Sequence, residues 1–358
     1  MRGPSPKPAV NPPMPRKLRI ATYNVEWFNA LFDDDGRLIE DLSPSARYQI
    51  SRAEQIGAIG IVLTALDADA IMVIEAPDTG ARRSTVKALE NLARHFGLRT
   101  RSCLIGFPSE TEQEIALLYD PDRMRAIHAP MGEPGKNAPG VPRFDTAFRY
   151  DLNNDGIFDT IRFSKPPLEL AVTTDTGRSF RMIGVHAKSK APHHVRREDE
   201  FNRISIENRR KQLAECLWIR ARAEQILAQG DSLIIAGDFN DGPGLDEYEA
   251  LFGHSGIEIV MGLEAPPELR LEERHAAMAL RQRVGISPTT ARFWLAPMQR
   301  YFEALVDFIM LSPDLCEAAP NWRIWHPFND PAVLAVPELR EALLAASDHF
   351  PVTVDLTL

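Results

Sequence analysis

Short apolar segments that end in polar residues constrain the fold of this chain more than any other feature. Their apolar and β-branched residues are typical of buried strands, and they recur from residue 18 to residue 356. Apolar residues at helical spacing lie between several of them, over 45–66, near 81–96 and over 199–229. This interleaving predicts an α/β fold. Because some strands follow one another closely enough to form hairpins, we expect mixed sheets covered by helices.

The segments predicted as strands are LRIATYNV, DAIMVIEA, EIALLYD, RMRAIH, LELAVTT, RMIGVHA, DSLIIAGDFND, ALVDFIMLS and FPVTVDL. Polar side chains at or near strand ends are Asn24, Glu26, Glu75, His186, Asp238, Asn240, Asp307, Asp348 and His349. One such residue usually belongs to a turn or a cap. Repeated along the whole chain, they indicate a functional site on the rigid edge of a sheet.

The charge balance restricts the classes of function. With 41 Lys and Arg against 50 Asp and Glu, the formal net charge is −9. This balance argues against a protein that binds nucleic acid through a broad basic surface. It leaves room for a nuclease, because a metal ion and a few local cations can hold one phosphate.

The sequence also predicts a simple organisation. Residues 1–16 are rich in Pro and predict a disordered tail, and no repeat or linker divides residues 17–358, so we expect a single domain there. Three distant cysteines (Cys103, Cys216 and Cys316) form neither a disulfide framework nor a zinc motif. No segment has the apolar length of a signal peptide core or a membrane span. We expect a soluble, cytoplasmic protein without stable membrane association.

The residue types at the strand ends suit one kind of chemistry. Carboxylate and amide oxygens without thiolates are ligands of Mg²⁺ or Mn²⁺ and not of structural zinc. A hard cation on a phosphate oxygen neutralises charge and helps to activate water. A histidine backed by a buried aspartate can contact the phosphate or transfer a proton. The sequence therefore predicts metal-dependent hydrolysis of a phosphate ester.

Six motifs occur in the order seen in the endonuclease/exonuclease/phosphatase superfamily, which the chain resembles over residues 18–356. The superfamily includes pancreatic-type deoxyribonucleases, apurinic endonucleases, inositol-polyphosphate phosphatases and neutral sphingomyelinases. The motifs are TYNVEW (22–27), IMVIEA (71–76), GVHAKSK (184–190), AGDFND (236–241), VDFIMLS (306–312) and SDHFPV (347–352). The resemblance implies a four-layer α/β sandwich, in which two mixed β-sheets pack face to face between outer helices.

The resemblance also implies roles for residues of these motifs. Glu75 corresponds to the principal metal ligand, with Asn24 and Asp348 close to the metal directly or through water. Asp238 corresponds to the group that orients or deprotonates the attacking water. Asn240 corresponds to a residue that hydrogen-bonds water or phosphate. The implied cofactor is Mg²⁺, with Mn²⁺ as an alternative.

Two histidines complete the implied site. His349, supported by Asp307, is expected to contact the scissile phosphate. His186 lies where the deoxyribonuclease and sphingomyelinase branches have a second histidine, which acts as a phosphate contact or general acid. Its carboxylate partner is less clear, and Glu114 is the candidate. Glu26 either shares the side of Asn24 or begins a solvated loop.

Two lysines could bring positive charge to the substrate phosphates, Lys165 in SKPPLEL and Lys188 in HAKSK. Similar sequences often carry Arg at the first position, and Lys cannot make the bidentate contact that Arg makes. We expect them to contribute to phosphate binding.

A separate acidic segment, DLNNDGIFD, has the spacing of part of an EF-hand-like calcium loop. Its residues at positions 1, 3, 5 and 9 of such a loop are Asp151, Asn153, Asp155 and Asp159. Position 12 is Arg162, where a bidentate Glu is expected. An Asx-rich turn between two strands explains the same residues and is the preferred interpretation. Structural Ca²⁺ is the alternative.

The substrate class depends on the resemblance. HAKSK and ALLYDPDRM look more like bacterial nuclease branches, which favours a DNA or RNA endonuclease. A phospholipid or small-molecule phosphodiesterase or phosphatase is the alternative, and FWLAPMQRYF (293–302) is either an apolar loop near its site or core. A non-catalytic binding module on the same fold is a third hypothesis. Such a module is expected to lack one or more catalytic residues.

Overall fold

The computed structural model describes residues 16–47, 49–133, 140–151, 156, 158–191, 198–243, 253–281, 287–295 and 298–358. The predicted tail lies outside the described residues except for Arg16. The backbone N–H of Arg16 donates to Leu358 at 3.0 Å, and that of Leu358 donates to Arg16 at 3.2 Å. The regular pairing of the chain therefore extends to residue 16.

Strands and helices alternate as the sequence predicts. The described strands are β1 Lys17–Asn24, β2 Ala70–Ala76, β3 Ser102–Ile105, β4 Glu114–Tyr119, β5 Met124–His128, β6 Phe148–Tyr150, β7 Asp159–Ile161, β8 Leu168–Thr174, β9 Ser179–His186, β10 Leu233–Asp238, β11 Ala291–Leu295, β12 Arg300–Ala304, β13 Asp307–Leu311, β14 Asn321–Ile324 and β15 Val352–Thr357. The described α-helices are α1 Arg52–Leu66, α2 Thr85–His95, α3 Glu198–Ala228, α4 Gly256–Met261, α5 Arg274–Arg281, α6 Pro313–Cys316, α7 Pro331–Leu334 and α8 Pro337–Ala346.

Two large mixed sheets form the centre of the fold. The first has six strands in the order β14-β15-β1-β2-β4-β3, and the second has five in the order β13-β10-β9-β8-β5. Each contains one parallel pair, β1 with β2 and β9 with β10, flanked by antiparallel neighbours. The parallel pairs matter for function because the carboxyl ends of parallel strands meet at one edge of a sheet.

Alternate residues of the central strands face different cores. Leu18 and Ile20 of β1 pack between the two sheets, whereas Ala21 and Tyr23 face a core that includes α1, α2 and α8. The strands β2 and β10 alternate in the same way, and the outer face of β10 packs in a core with α3 and α4. Burial on both faces explains why these strands are apolar runs without polar alternation.

The predicted fold class is confirmed, since helices cover the outer faces of two packed mixed sheets. Some boundaries differ from the prediction. The helix expected over 45–66 begins only at Arg52, because Ser51 and Glu54 form a capping box at that point. In the segment 293–302, residues 293–295 belong to β11 and residues 300–302 to β12, so these residues form part of a hairpin. No helix in the described part of the chain is long and apolar enough to cross a membrane.

Candidate active site

Strand pairing places the predicted residues of the second sheet side by side. In the ladder of β9 and β10, Asp238 is paired with His186, and in the ladder of β10 and β13 it is paired with Asp307. Asp238 is 1% exposed, and the other two side chains are also buried. The three residues therefore lie across three adjacent strands at one edge of the sheet.

A hydrogen bond joins this edge to the first sheet. Asn24 ends β1, and its side-chain amide donates to Asp238 Oδ2 at 3.0 Å. Asp238 also accepts from the backbone N–H of Asn240 at 2.7 Å and from its side-chain amide at 3.3 Å. Three donors thus fix the orientation of the Asp238 carboxylate. Asn240 itself lies in the left-handed region, with a φ of 50°.

Glu75 reaches the same site through an irregularity in its strand. The ladder of β2 and β4 shifts register between Ile74 and Ala76, and Glu75 has a φ of 59°. This conformation is unfavourable for a residue with a Cβ. It brings Glu75 Oε1 to 3.9 Å from His186 Nε2, and the carboxylate also accepts a backbone hydrogen bond from Trp27. Strain of this kind is typical of functional positions.

His349 and Asp307 form a buried pair. His349 Nδ1 lies 2.8 Å from Asp307 Oδ2, and His349 Nε2 lies 4.0 Å from Asp238 Oδ2. The backbone of Asp307 is held by Thr290, whose hydroxyl oxygen accepts from its N–H at 3.0 Å. Asp307 therefore fixes the ring so that Nε2 faces Asp238.

The two histidines have opposite charge preferences. Burial alone lowers the pKa of His349, but the charges of Asp307, Asp238 and Asp348 and the hydrogen bond to Asp307 raise it well above its usual value. Burial lowers the pKa of His186 well below its usual value, and the charge of Lys165 adds to this effect. The surroundings therefore favour the protonated form of His349 and the neutral form of His186.

Asp238 lies between these two rings. Burial and the charge of Asp307 raise the pKa of Asp238 to about 7, although His349 and the bonds from Asn240 and Asn24 oppose the shift. His186 Nε2 is 3.8 Å from Asp238 Oδ2. A carboxylate whose pKa lies near neutral pH is suited to accept a proton from water.

Of the two predicted phosphate-binding lysines, the structure brings Lys165 directly to the site. Lys165 Nζ lies 3.1 Å from His186 Nε2 and 3.5 Å from Gln113 Oε1. Burial lowers the pKa of Lys165, while Glu75 and other carboxylates oppose the shift. Lys188 is half-buried, and its backbone N–H donates to Glu215 at 2.7 Å. Lys188 is near enough for its charge to lower the pKa of Lys165 further.

Glu26 lies in the turn after β1, and its side chain is only 25% exposed. It pairs with Arg47 and hydrogen-bonds Asp348. Burial and the charge of Asp348 raise the pKa of Glu26 to about 7, against the effect of Arg47. Arg47 is far from any motif and was not predicted from the sequence. Its NH2 group also donates to the backbone oxygen of Leu344 at 3.2 Å.

The donors at the site fit a divalent cation. Among the described residues, Asn24 Oδ1 and Asp348 Oδ1 are buried acceptors without a hydrogen-bond donor. Glu75 adds a carboxylate whose pKa is raised by burial, and it is close enough for the charge of Asp348 to raise that pKa further. Hard oxygen donors with unmet acceptor capacity suit Mg²⁺ or Mn²⁺. Asn24, Glu75 and Asp348 have the donor chemistry that such a cation needs, and their role as its ligands stays a prediction.

A second buried group could also hold a metal. One ligand atom from each of Asp238, Asp307 and His349 lies within 4.8 Å of the other two. His349 Nδ1 is engaged by Asp307, which leaves Nε2 as the ring atom that could bind a metal. The same pair could instead hold and transfer a proton. The geometry of this group suits either role.

Glu114 is not the carboxylate partner of His186, contrary to the prediction. Glu114 Oε2 accepts from the backbone N–H of Ser109 at 2.9 Å. The carboxylates near His186 Nε2 are those of Glu75 and Asp238. Glu114 begins β4, and its carboxylate accepts a hydrogen bond from the loop before this strand. The bulge in β2, by contrast, directs Glu75 towards the histidine.

The acidic segment after β6 is a connection between two strands. The strands β6 and β7 pair antiparallel, with Tyr150 opposite Asp159. The backbone N–H of Gly156 donates to Asp151 Oδ2 at 2.8 Å, which is an Asx-type contact. Asn153 and Asp155 lie outside the described residues. The preferred turn interpretation agrees with the flanking strands, and calcium binding stays a prediction.

Several supporting residues carry no sequence signal that distinguishes them from core or surface polar residues. The Gln212 amide, in the middle of α3, donates to the backbone oxygens of Phe239 and Asn240 at 3.0 and 2.9 Å. The Ser347 hydroxyl donates to Asn24 O at 2.8 Å. These contacts fix the loops that follow β10 and β1. A polar residue in the middle of a helix becomes informative only when its tertiary neighbours are known.

No family model and no curated protein matches the chain. Solved structures to which it is similar include truncated TDP2 of Caenorhabditis elegans, at 14% identity over 96% of this chain and 98% of that chain, with a TM-score of 0.49. The human Nocturnin catalytic domain with bound sulfate anion has 14% identity over 95% of this chain and 94% of that chain, with a TM-score of 0.48. An endonuclease/exonuclease/phosphatase family protein from Bacteroides thetaiotaomicron has 14% identity over 96% and 98% of the two chains, with a TM-score of 0.47.

This likeness concerns the arrangement of the chain alone, and no activity or ligand is transferred from those proteins. The fold class depends on the two packed mixed sheets and their strand order.

Proposed function

We propose that this chain is a metal-dependent phosphodiesterase that cleaves DNA or RNA internally. The observation that carries the proposal is the convergence of a buried His349–Asp307 pair, the Asp238 carboxylate and the Glu75 carboxylate at one joint edge of the two sheets. No single motif requires this convergence. It supports catalysis over a non-catalytic binding module, because all four residues are present and brought together.

The proposed chemistry is in-line attack of water on phosphorus. Asp238 orients the water and takes its proton, which a carboxylate with a raised pKa can do near neutral pH. Protonated His349, held by Asp307, donates to a phosphate oxygen and stabilises the added negative charge. The bond to the leaving oxygen breaks, and that oxygen takes up a proton, so that one water is added overall.

Other residues hold the substrate and the cofactor. Lys165 lies beside His186 and Asn240 beside Asp238, and both are assigned to phosphate contacts. For His186, a neutral ring favours a phosphate contact over the role of general acid. Glu75, Asp348 and Asn24 are assigned to Mg²⁺ or Mn²⁺. When bound, the cation neutralises phosphate charge and favours ionisation of water.

The test is hydrolysis of supercoiled plasmid, single-stranded RNA and bis(p-nitrophenyl) phosphate, with Mg²⁺, Mn²⁺ or a chelator. We expect metal-dependent cleavage by the wild type and its loss in His349→Ala. The matched control is His254→Ala. The His254 side chain is 48% exposed, and its Nε2 lies 3.3 Å from Glu264 Oε1. Full activity of His349→Ala would refute the assigned site.

A phospholipid or small-molecule phosphodiester is the second candidate substrate. The observation that favours it is a pair of exposed aromatic side chains on the β11–β12 hairpin, since Trp294 and Tyr301 are each 50% exposed. Cleavage of bis(p-nitrophenyl) phosphate without cleavage of plasmid or RNA would support this second candidate and reject the first.

A further inference from the structure

The hairpin of β11 and β12 is fixed to the catalytic segment. Ala291 forms a β-bridge with His349, and the backbone N–H of Arg292 donates to Asp348 O at 2.7 Å. The ring of Phe293 meets the ring of His349 edge-on, with centroids 5.4 Å apart. The hairpin therefore extends directly from the segment that carries the proposed catalytic histidine.

One face of this hairpin presents aromatic rings to solvent. Because side chains alternate along a strand, Arg292 and Trp294 share the face opposite to Phe293. Trp294 is paired with Tyr301 on β12, and their rings lie 5.0 Å apart at 62°. Trp294 and Tyr301 are each 50% exposed, and nearby Phe328 is 42% exposed.

An arginine lies among these rings. The Arg292 guanidinium carbon is 3.5 Å from the centroid of Tyr301 and 5.1 Å from that of Phe328. We call Arg292, Trp294, Tyr301 and Phe328 the aromatic surface. Its rings are held by strand pairing and by cation–π contact, so little conformational entropy is lost when a flat ligand stacks on them.

We propose that the aromatic surface binds unpaired bases of a single-stranded nucleic acid whose scissile phosphate lies at His349. This inference rests on the proposed function and names the form of its substrate. Aromatic side chains interleaved with Arg are the usual platform for unpaired bases, and stacking on them tolerates any base. The backbone bond from Arg292 to Asp348 ties the strand that carries Arg292 and Trp294 to the segment that carries Asp348 and His349.

The charge of the protein supports stacking as the source of affinity. At a formal net charge of −9, a strand of phosphates is not attracted to the molecule as a whole. Contacts to bases supply affinity that depends little on salt. Base stacking therefore gives an acidic protein a means to hold a polyanion.

The charges on this hairpin disfavour a lipid surface as the occupant. Glu303 lies opposite Arg292 in the hairpin, with Arg292 Nε 3.5 Å from Glu303 Oε1. Insertion of this face into a bilayer would remove both charged groups from water, which is costly. The negative net charge also opposes binding to anionic lipid. A base that stacks on the rings leaves these charges hydrated.

The test is fluorescence anisotropy with labelled oligothymidylate, in chelator so that no cleavage occurs. An abasic oligomer of equal length carries the same phosphates without bases. We expect the wild type to prefer the oligomer with bases, and Trp294→Ala/Tyr301→Ala to bind it at least about tenfold more weakly and lose the preference. The single variant Trp294→Ala, which keeps the contact between Arg292 and Tyr301, is compared with the double variant. Thermal unfolding checks that each variant is folded.

The matched control is Phe158→Ala, since Phe158 is 55% exposed and Arg149 lies 5.6 Å from its centroid, as in the aromatic surface. We expect this variant to bind as the wild type does. Equal binding of the two oligomers by the wild type, or wild-type affinity in both variants of the aromatic surface, would overturn the inference. Binding to vesicles of phosphatidylcholine and phosphatidylglycerol is measured with the same proteins. If the variants of the aromatic surface lost vesicle binding but kept oligomer binding, the inference would also be overturned.

The two proposals fail in distinguishable ways. Base-dependent binding by a wild type that hydrolyses no phosphodiester with any metal would refute the proposed function and leave the binding surface standing. If the wild type hydrolysed phosphodiesters but bound the oligomers with and without bases equally well, only the proposed binding surface would be refuted.

Discussion

The side-chain amide of Asn24 donates a hydrogen bond to Asp238 at 3.0 Å, across the junction between the two sheets. These residues are 214 positions apart, and each ends a strand of a different sheet. The bond orients the Asp238 carboxylate and leaves Asn24 Oδ1 available as an acceptor. The site is therefore complete only when both sheets are packed, which makes the core between them part of the catalytic apparatus.

Glu75→Gln is expected to abolish the response of the protein to a divalent cation. Wild type should unfold at a higher temperature as Mn²⁺ is added, because the cation binds only the folded state. The variant should show little or no rise. Without metal it should be at least as stable as the wild type near pH 7, since burial already raises the pKa of Glu75.

The measurement for Glu75 is thermal unfolding over a Mn²⁺ titration, with and without chelator. The control is Glu264→Gln, which removes a carboxylate whose side chain is 83% exposed. The unfolding temperature of the control should rise with Mn²⁺ as that of the wild type does. An equal Mn²⁺ response in Glu75→Gln would contradict the role of Glu75 as a ligand.

Asp307→Asn is expected to lower kcat by two to four orders of magnitude, roughly the range for loss of a positioned acid or base. The charge of Asp307 and its hydrogen bond raise the pKa of His349, so the variant loses the protonated ring at lower pH than the wild type. Activity should then fall with rising pH at a lower pH in the variant. The measurement is kcat against pH on bis(p-nitrophenyl) phosphate.

A merely structural role for Asp307 would leave the pH at which activity falls unchanged. An unchanged profile, or a kcat within a few fold of the wild type, would exclude Asp307 as the residue that positions and charges His349. The control His254→Ala should retain both the rate and the profile.

Lys165→Met is expected to lower kcat/KM by about tenfold or more, because a cation whose Nζ lies 3.1 Å from His186 Nε2 is removed from the proposed phosphate site. Lys188→Met should have a smaller effect, since the backbone of Lys188, rather than its side chain, makes the contact to Glu215. The measurement compares kcat/KM of the two variants on one substrate. A larger loss in Lys188→Met would show that the structure ranks the two lysines wrongly.

The sequence predicts the central strands well because burial on both faces leaves a continuous apolar run, as in β1, β2 and β10. It also identifies polar residues at their ends, such as Asn24 and Asp238. It could not show the shift in the β2–β4 ladder that turns Glu75 towards His186, because a bulge depends on the register of the partner strand. For this reason the candidate partner Glu114 was wrong.

Residues that support the site from other elements were also beyond the sequence. Arg47 lies before α1 and reaches Glu26, and Gln212 lies within α3 and reaches the loop after β10. Neither belongs to a motif or to a periodic pattern. The β11–β12 hairpin was ambiguous for a different reason, because its exposed rings have the composition of core residues.

Glu169 and Arg222 form an ion pair within the fold, with Glu169 Oε1 3.1 Å from Arg222 Nε and both side chains almost fully buried. Burial raises the pKa of Glu169 to about 7 from 4.5, although Arg222 opposes the shift. Because its folded-state pKa is raised, the protonated form favours folding. Its contribution to stability is therefore fully present below pH 4.5 and is lost as the pH rises to about 7.

In Glu169→Gln the side chain at position 169 is uncharged at every pH, so it contributes no pH dependence to the stability. Relative to the wild type, its free energy of unfolding should rise by about 3 kcal/mol between pH 4.5 and 7 and then stay level. An unpaired Arg222 lowers the stability of the variant at all pH values but does not change this slope, because the guanidinium stays charged. The measurement is urea unfolding of both proteins across this range. The control is Glu224→Gln, which changes a side chain that is 48% exposed. The free energy of unfolding of this control should depend on pH as that of the wild type does. The same pH dependence in Glu169→Gln would contradict the prediction.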